Sequence, residues 1–132
     1  MRYLCDTNVV SEVMRRSPNP GVIAWFEALD EIAVSVITVE EIHCGLAHRD
    51  AHRQLDWFSA FCESHCAVLP VTAAIAAHAG SLRGQLRRAG QLRTQADMLI
   101  AATAAIHQLT LATRNLADFD HCGIALLNPF PA

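Results

Sequence analysis

A chain of 132 residues is the size of one domain, and with 52% apolar residues it can bury a substantial core, which excludes a disordered chain. Its net charge of −3 gives no global attraction for nucleic acid, and no apolar run approaches the roughly 18 residues that span a bilayer. Met1 leads straight into strand-like residues without a basic, apolar leader, which predicts a chain that folds in the cytoplasm.

Arg2 to Cys5 reads as a short strand, and Asp6-Thr7-Asn8 turns it at once into a helix from Asn8 to about Met14. The cluster Ser17-Pro18-Asn19-Pro20-Gly21 breaks the chain before a second helix over 22–29. Residues 32–36 are almost wholly apolar, as suits a strand covered on both faces of a parallel sheet. Thr38 opens a helix through Leu46, and residues 50–64 carry apolar side chains at helical spacing; the two are expected to form a helical hairpin. A strand over 67–71 precedes a long Ala-rich helix from Thr72 to about Arg88, closed by Ala89-Gly90. Another helix runs from Thr94 to about Leu109, then a strand over 110–113. A turn with a short helical piece fills 114–120, and 124–127 is a final edge strand. Strands separated by helices predict an α/β fold in a single domain over 1–132, with a central, mostly parallel sheet of four to five strands flanked by helices. Strand order is not readable from this pattern.

Cys5, Cys44, Cys62, Cys66 and Cys122 are odd in number and lack CxxC pairing, so free buried thiols are expected. The seven histidines form no H-E-x-x-H pattern. All ten basic residues are Arg. No acid falls between Glu63 and Asp97, whereas Arg83, Arg87, Arg88 and Arg93 do. That stretch is either a solvated helix face or a basic track for RNA phosphates.

Three helix starts place a cap-type residue three before an acid: Thr38 before Glu41, Thr94 before Asp97, and Asn115 before Asp118. Each resembles a capping box, and Asp6 can cap the first helix. Yet Asp6, Glu41 and Asp118 each follow a strand by a few residues, and in a parallel sheet such positions converge on the carboxyl edge, where ligands bind. Carboxylates gathered there raise one another's pKa unless a cation intervenes. Oxygen-only ligands select a hard ion, Mg²⁺ or Mn²⁺. Thr7, Asn8, Thr113 and Asn115 lie where they can orient the carboxylates or a metal-bound water. A metal beside a basic groove points to phosphodiester hydrolysis.

Four stretches carry a family likeness. Leu4-Cys5-Asp6-Thr7-Asn8-Val9-Val10-Ser11-Glu12 resembles the opening of PIN-domain ribonucleases, and Ser35 to Gly45, with Glu41 before Ile42, resembles their second motif. Ala96-Asp97-Met98-Leu99-Ile100-Ala101-Ala102-Thr103-Ala104 resembles the third, and Thr113-Arg114-Asn115-Leu116-Ala117-Asp118-Phe119 the fourth. They occur in family order across the whole chain, whose length is similar to the VapC and FitB-like toxins of bacterial toxin–antitoxin pairs. The resemblance implies a PIN-like nuclease domain and a Mg²⁺-dependent endoribonuclease, with Mn²⁺ as a substitute. In it Asp6, Glu41, Asp97 and Asp118 form an acidic pocket, with Asp6 and Asp97 the first metal ligands and Glu41 and Asp118 further candidates. Asp118 is preferred to Asp120 because it precedes Phe119; Glu12 either lines the pocket or is solvated. The resemblance also implies a homodimer held inactive by a small antitoxin. Trp25, Phe26, Trp57, Phe58 and Phe61 either supply the antitoxin surface or belong to the core.

Phosphotransfer folds that open on a strand ending in Asp are poorer matches. A receiver domain and a haloacid-dehalogenase-like phosphatase both need a Lys, which the chain lacks, and the latter needs Asp where Asn8 stands. A single-stranded DNA nuclease of the same architecture, or an inert RNA-binding or assembly module, remains the alternative.

Overall fold

β-branched and apolar runs too short to be core helices, each followed by a longer helical pattern, bury both faces only as a sheet with crossovers over it. In the computed structural model, which describes residues 1–131, β1 (Tyr3–Cys5), β2 (Ile32–Ser35), β3 (Cys66–Leu69), β4 (Thr110–Ala112) and β5 (Leu126–Leu127) form one sheet. The order is β3-β2-β1-β4-β5 and every neighbouring pair is parallel. The chain starts at the sheet's centre, works outward to β3, then crosses back to the other side. β1 is therefore where the winding direction reverses, and the crevice at its carboxyl end is the expected ligand position.

Six helices cover the sheet: α1 (Thr7–Val13), α2 (Pro20–Glu27), α3 (Val36–His48), α4 (His52–His65), α5 (Ala73–Arg88) and α6 (Gln95–His107). The strands' alternation divides the core in two. Leu4, Ala33 and Leu111 pack with Ile75, Met98 and Ile100 under α5 and α6. Cys5, Val34 and Ala112 pack with Val9, Ile42, Leu46 and Phe58 under α1, α3 and α4. All of β2 is buried, as its composition predicts. The expected hairpin of α3 and α4 is present as two packed helices joined through Asp50, which takes a positive φ of 54°. Phe58 and Phe61 belong to the core, and Trp57 is 45% exposed, stacked on Phe61 at 5.0 Å between centroids. Among the described residues, no helix is long and apolar enough to cross a membrane.

Several boundaries differ from the sequence reading by a few residues; α2, expected over 22–29, is Pro20–Glu27, and β3, expected over 67–71, is Cys66–Leu69. The helix expected to open at Thr38 begins at Val36, because Ser35, the last residue of β2, already serves as its cap: Ser35 Oγ accepts from Ile37 N at 3.0 Å. Thr38 is thus inside α3, fully buried. The last strand pairs only at Leu126 and Leu127. At the end of α5 the sequence signal holds. Gly90 takes φ 81°, Gly90 N donates to Arg87 O, and Gln91 N donates to Leu86 O, a Schellman closure that suits glycine.

Candidate active site

Asp6 is the first residue past β1. Its N–H donates to Ala112 O at 2.9 Å, so the backbone is fixed by the sheet, and the residue is 5% exposed. One carboxylate oxygen accepts from Thr7 N at 2.8 Å and caps α1. The other accepts from Thr113 Oγ1 at 2.8 Å and Asn8 Nδ2 at 3.0 Å. Thr113 Oγ1 in turn accepts from Asn115 N at 3.1 Å, and Asn8 Oδ1 accepts from Arg114 N at 3.0 Å. Residues a hundred positions apart are thereby tied at the carboxyl ends of β1 and β4. Thr7, Asn8, Thr113 and Asn115 all join this network.

Glu41 stands on the second turn of α3, exposed, and Thr7 Oγ1 donates to its Oε1 at 2.7 Å. Thr38 Oγ1 lies 3.1 Å from Thr7 Oγ1. A hydroxyl has one proton, and a carboxylate can only accept it. Thr7 therefore gives its proton to Glu41, and the buried Thr38 donates to Thr7. Sequence reasoning took Thr38 for a cap and missed this role; its clue was Ser35, a second cap-type residue three positions earlier.

Asp97 lies in the first turn of α6, where Thr94 Oγ1 accepts from Asp97 N at 3.1 Å. Asp118 is exposed on a single 3₁₀ turn over Leu116–Phe119. Its N–H donates to the backbone carbonyl of Asn115 at 3.1 Å; the Asn115 side chain makes no capping bond. Of the three expected boxes only Thr94 caps with its side chain. Capping and clustering are not exclusive, since the cap at Asp6 and the cap beneath Asp97 are what fix those two carboxylates.

The charges meet. Burial pushes the Asp6 carboxyl above its usual range, hydrogen bonds from Thr113 and Thr7 oppose the rise, and the Glu41 charge adds to it. Asp97 is also raised, first by burial and then by the Asp6 charge, with Asp118 and Glu41 contributing and Thr94 opposing. Asp120 is not among the charges that raise either carboxyl. No Arg or His forms an ion pair with these acids: the ion pairs among the described residues are Arg15–Glu12 and His52–Asp50, both elsewhere. Among the described residues, no group of three or more His, Cys, Asp or Glu side chains is arranged so as to hold a metal ion. The donor set is nevertheless all oxygen, anionic and unbalanced, which fits a hard divalent cation.

Glu12 neither lines the cluster nor is solvated. It is buried, accepts from Asn19 N at 2.9 Å and pairs with Arg15 at 3.1 Å, holding the turn between α1 and α2. Arg87 and Arg88 are exposed at the end of α5. Arg93 is folded against backbone carbonyls, and its own carbonyl accepts from Arg83 Nε at 3.3 Å. A cleft of about 600 Å³ between α3 and α6 is lined by Ile37, Glu40, Glu41, Cys44, Gln95 and Leu99 among others, and reaches the cluster at Glu41.

Residues 3–123 match the family described as PIN domain. The chain is 35% identical to toxin FitB of Neisseria gonorrhoeae over 96% of its own length and 97% of that protein's. It is 32% identical to VapC ribonuclease Y4jK of Sinorhizobium fredii, with 95% of each covered. Among solved structures, a chain of a toxin–antitoxin complex from Klebsiella pneumoniae superposes with a TM-score of 0.78 at 26% identity, covering 98% of this chain and 99% of that one.

Proposed function

The chain belongs to the PIN-domain family, and from that premise we propose that it is a metal-dependent endoribonuclease, the toxin of a toxin–antitoxin pair. The observation that supports the reading is that the charges of Asp6, Glu41 and Asp118 act on Asp97, and that none of the four acids forms an ion pair among the described residues. PIN-domain ribonucleases are generally metal-dependent. For this chain the proposed ion is Mg²⁺, with Mn²⁺ as a substitute, held by Asp6 and Asp97. Glu41 and Asp118 are further ligands or hold the attacking water. A cation held there would offset negative charge on the scissile phosphate and lower the pKa of a water.

The chain's own groups do the rest. Thr113 and Asn8 fix the Asp6 carboxylate in one orientation, so that no reorganisation is needed when substrate arrives. Thr7 holds one oxygen of Glu41 and leaves the other free to accept a proton from water. Exposed Arg87 and Arg88 are the groups best placed to meet backbone phosphates in solution. Arg83 and Arg93 are already engaged with the protein. The likeness to FitB, to the VapC ribonuclease and to the Klebsiella complex supports a cognate small antitoxin as partner. A homodimer and a cytoplasmic site of action complete the proposal.

The test is cleavage of a panel of tRNA, rRNA and single-stranded DNA by the purified, antitoxin-free chain, with Mg²⁺, with Mn²⁺ and with EDTA. RNA is expected to be cut only with metal, and Asp97→Asn is expected to lose at least a hundredfold in kcat. Cutting of DNA alone would establish the other nuclease. Metal-independent cutting would refute the mechanism.

A further inference from the structure

Asp118 stands on one isolated 3₁₀ turn, and Asp97 follows the loop after α5. Neither backbone is tied to the sheet as that of Asp6 is; Phe119 anchors the turn in the core it shares with Met98 and Ile100, and a second hold comes from a hydrogen-bonding side chain. Arg93 is the group between them. Its Nη1 donates to Ala117 O at 2.9 Å; its Nη2 donates to Asp120 O at 3.3 Å and to Gln91 Oε1 at 2.6 Å. One guanidinium therefore grips carbonyls on both sides of Asp118. Its own backbone adjoins Thr94, the cap beneath Asp97. Arg83 Nε donates to the Arg93 carbonyl at 3.3 Å and ties this loop back to α5. Arg93 Nε is buried without a partner, an orientation dictated by the two carbonyls rather than by solvent.

We propose that Arg93 is a positioning residue for the acidic pocket: its guanidinium clamps the Asp118 turn against the start of α6 and so sets the separation of the Asp97 and Asp118 carboxylates. The proposal rests on the reading of those acids as a metal pocket. It assigns Arg93 a different task from the phosphate contact that its place in a basic stretch suggests. The fork geometry matters, because an ammonium is a point donor and cannot span carbonyls three residues apart while holding Gln91.

Lysine separates the two roles. A phosphate contact tolerates Arg93→Lys, whereas the clamp does not. Mn²⁺ affinity, measured by titration of the folded protein, is expected to fall about tenfold in both Arg93→Lys and Arg93→Gln. On RNA, kcat is expected to fall with KM and the salt dependence of binding unchanged. In an Asp118→Asn background, Arg93→Lys is expected to change Mn²⁺ affinity by less than about twofold, because the two act as one unit. Wild-type Mn²⁺ affinity in Arg93→Lys would overturn the clamp. So would effects that add to those of Asp118→Asn, or a raised KM with a salt slope reduced by about one. If Arg93→Gln does not fold, the lysine variant and the double variant carry the test. A wild-type chain that binds no Mn²⁺ would remove the pocket itself, a failure visible in the control and distinct from failure of the clamp.

Discussion

Asp6 caps α1 with one carboxylate oxygen and turns the other toward Thr113 and Asn8. Its neighbour in function, Asp97, lacks that dense support, and the other three acids raise its pKa beyond what burial alone does. A carboxyl with a raised folded-state pKa binds protons more tightly in the native chain than in the unfolded one. Ionisation therefore opposes folding, increasingly as pH rises from about 3.9, the unfolded value, through the folded one. Without divalent metal, Asp97→Asn should melt a few degrees above wild type at neutral pH, with the gap closing toward pH 4 in Tm measurements. Glu12 runs the other way. The Asn19 N–H, chiefly, holds its carboxyl below the usual range, with Arg15 assisting. Its contribution is present above about pH 4.3 and is lost as pH falls through the depressed value. Glu12→Ala should therefore lower stability by about 1 kcal/mol at pH 7, and by progressively less in acid denaturation curves. Of these residues, Asp6 was marked in the sequence by its place just after a strand, and Asp97 by its place three residues after Thr94 at a helix start. The burial of Glu12 was not, because a helix position beside a breaker cluster does not reveal which way the following turn folds.

At the scale of elements, the turn from β2 into α3 decides where Thr38 points. Ser35 and Thr38 are both cap-type residues, and sequence alone offered no reason to prefer the earlier one. The strand's last residue wins because the helix starts with no intervening loop. Thr38 then faces Thr7 instead of closing its own helix. Thr38→Val keeps the side chain's volume and removes the donor. It should cost about 1 kcal/mol, the usual net worth of such a bond. It should also reduce kcat several-fold while Thr38→Ser retains activity, measured on the same RNA. Equal activity in Thr38→Val would mean that Glu41 keeps its orientation without the relay. The cap at Thr94 was legible because a Thr three residues before an acid is where α6 starts. The lone 3₁₀ turn bearing Asp118 was visible only as a short helical piece, since what holds it, the burial of Phe119 in the core and the hydrogen bonds from Arg93, comes from other segments.

At the scale of the whole molecule, the alternation of strands and helices made the parallel α/β class readable, because short apolar runs divided by helices leave few other ways to bury both faces. The order β3-β2-β1-β4-β5 was not readable, since it depends on which side each crossover takes. That order puts β1 at the reversal of winding and so brings Asp6 to the centre of the carboxyl edge. The net charge of −3 conceals this concentration, just as it conceals the arginines of α5. Whether Asp6, Glu41, Asp97 and Asp118 hold a divalent cation is read from thermal unfolding with increasing Mn²⁺. The wild-type chain should gain about 2.7 kcal/mol at a Mn²⁺ concentration a hundredfold above Kd. Asp97→Asn, starting from a higher Tm, should gain almost nothing. A wild-type Tm indifferent to Mn²⁺, or an equal gain in the variant, would contradict the account.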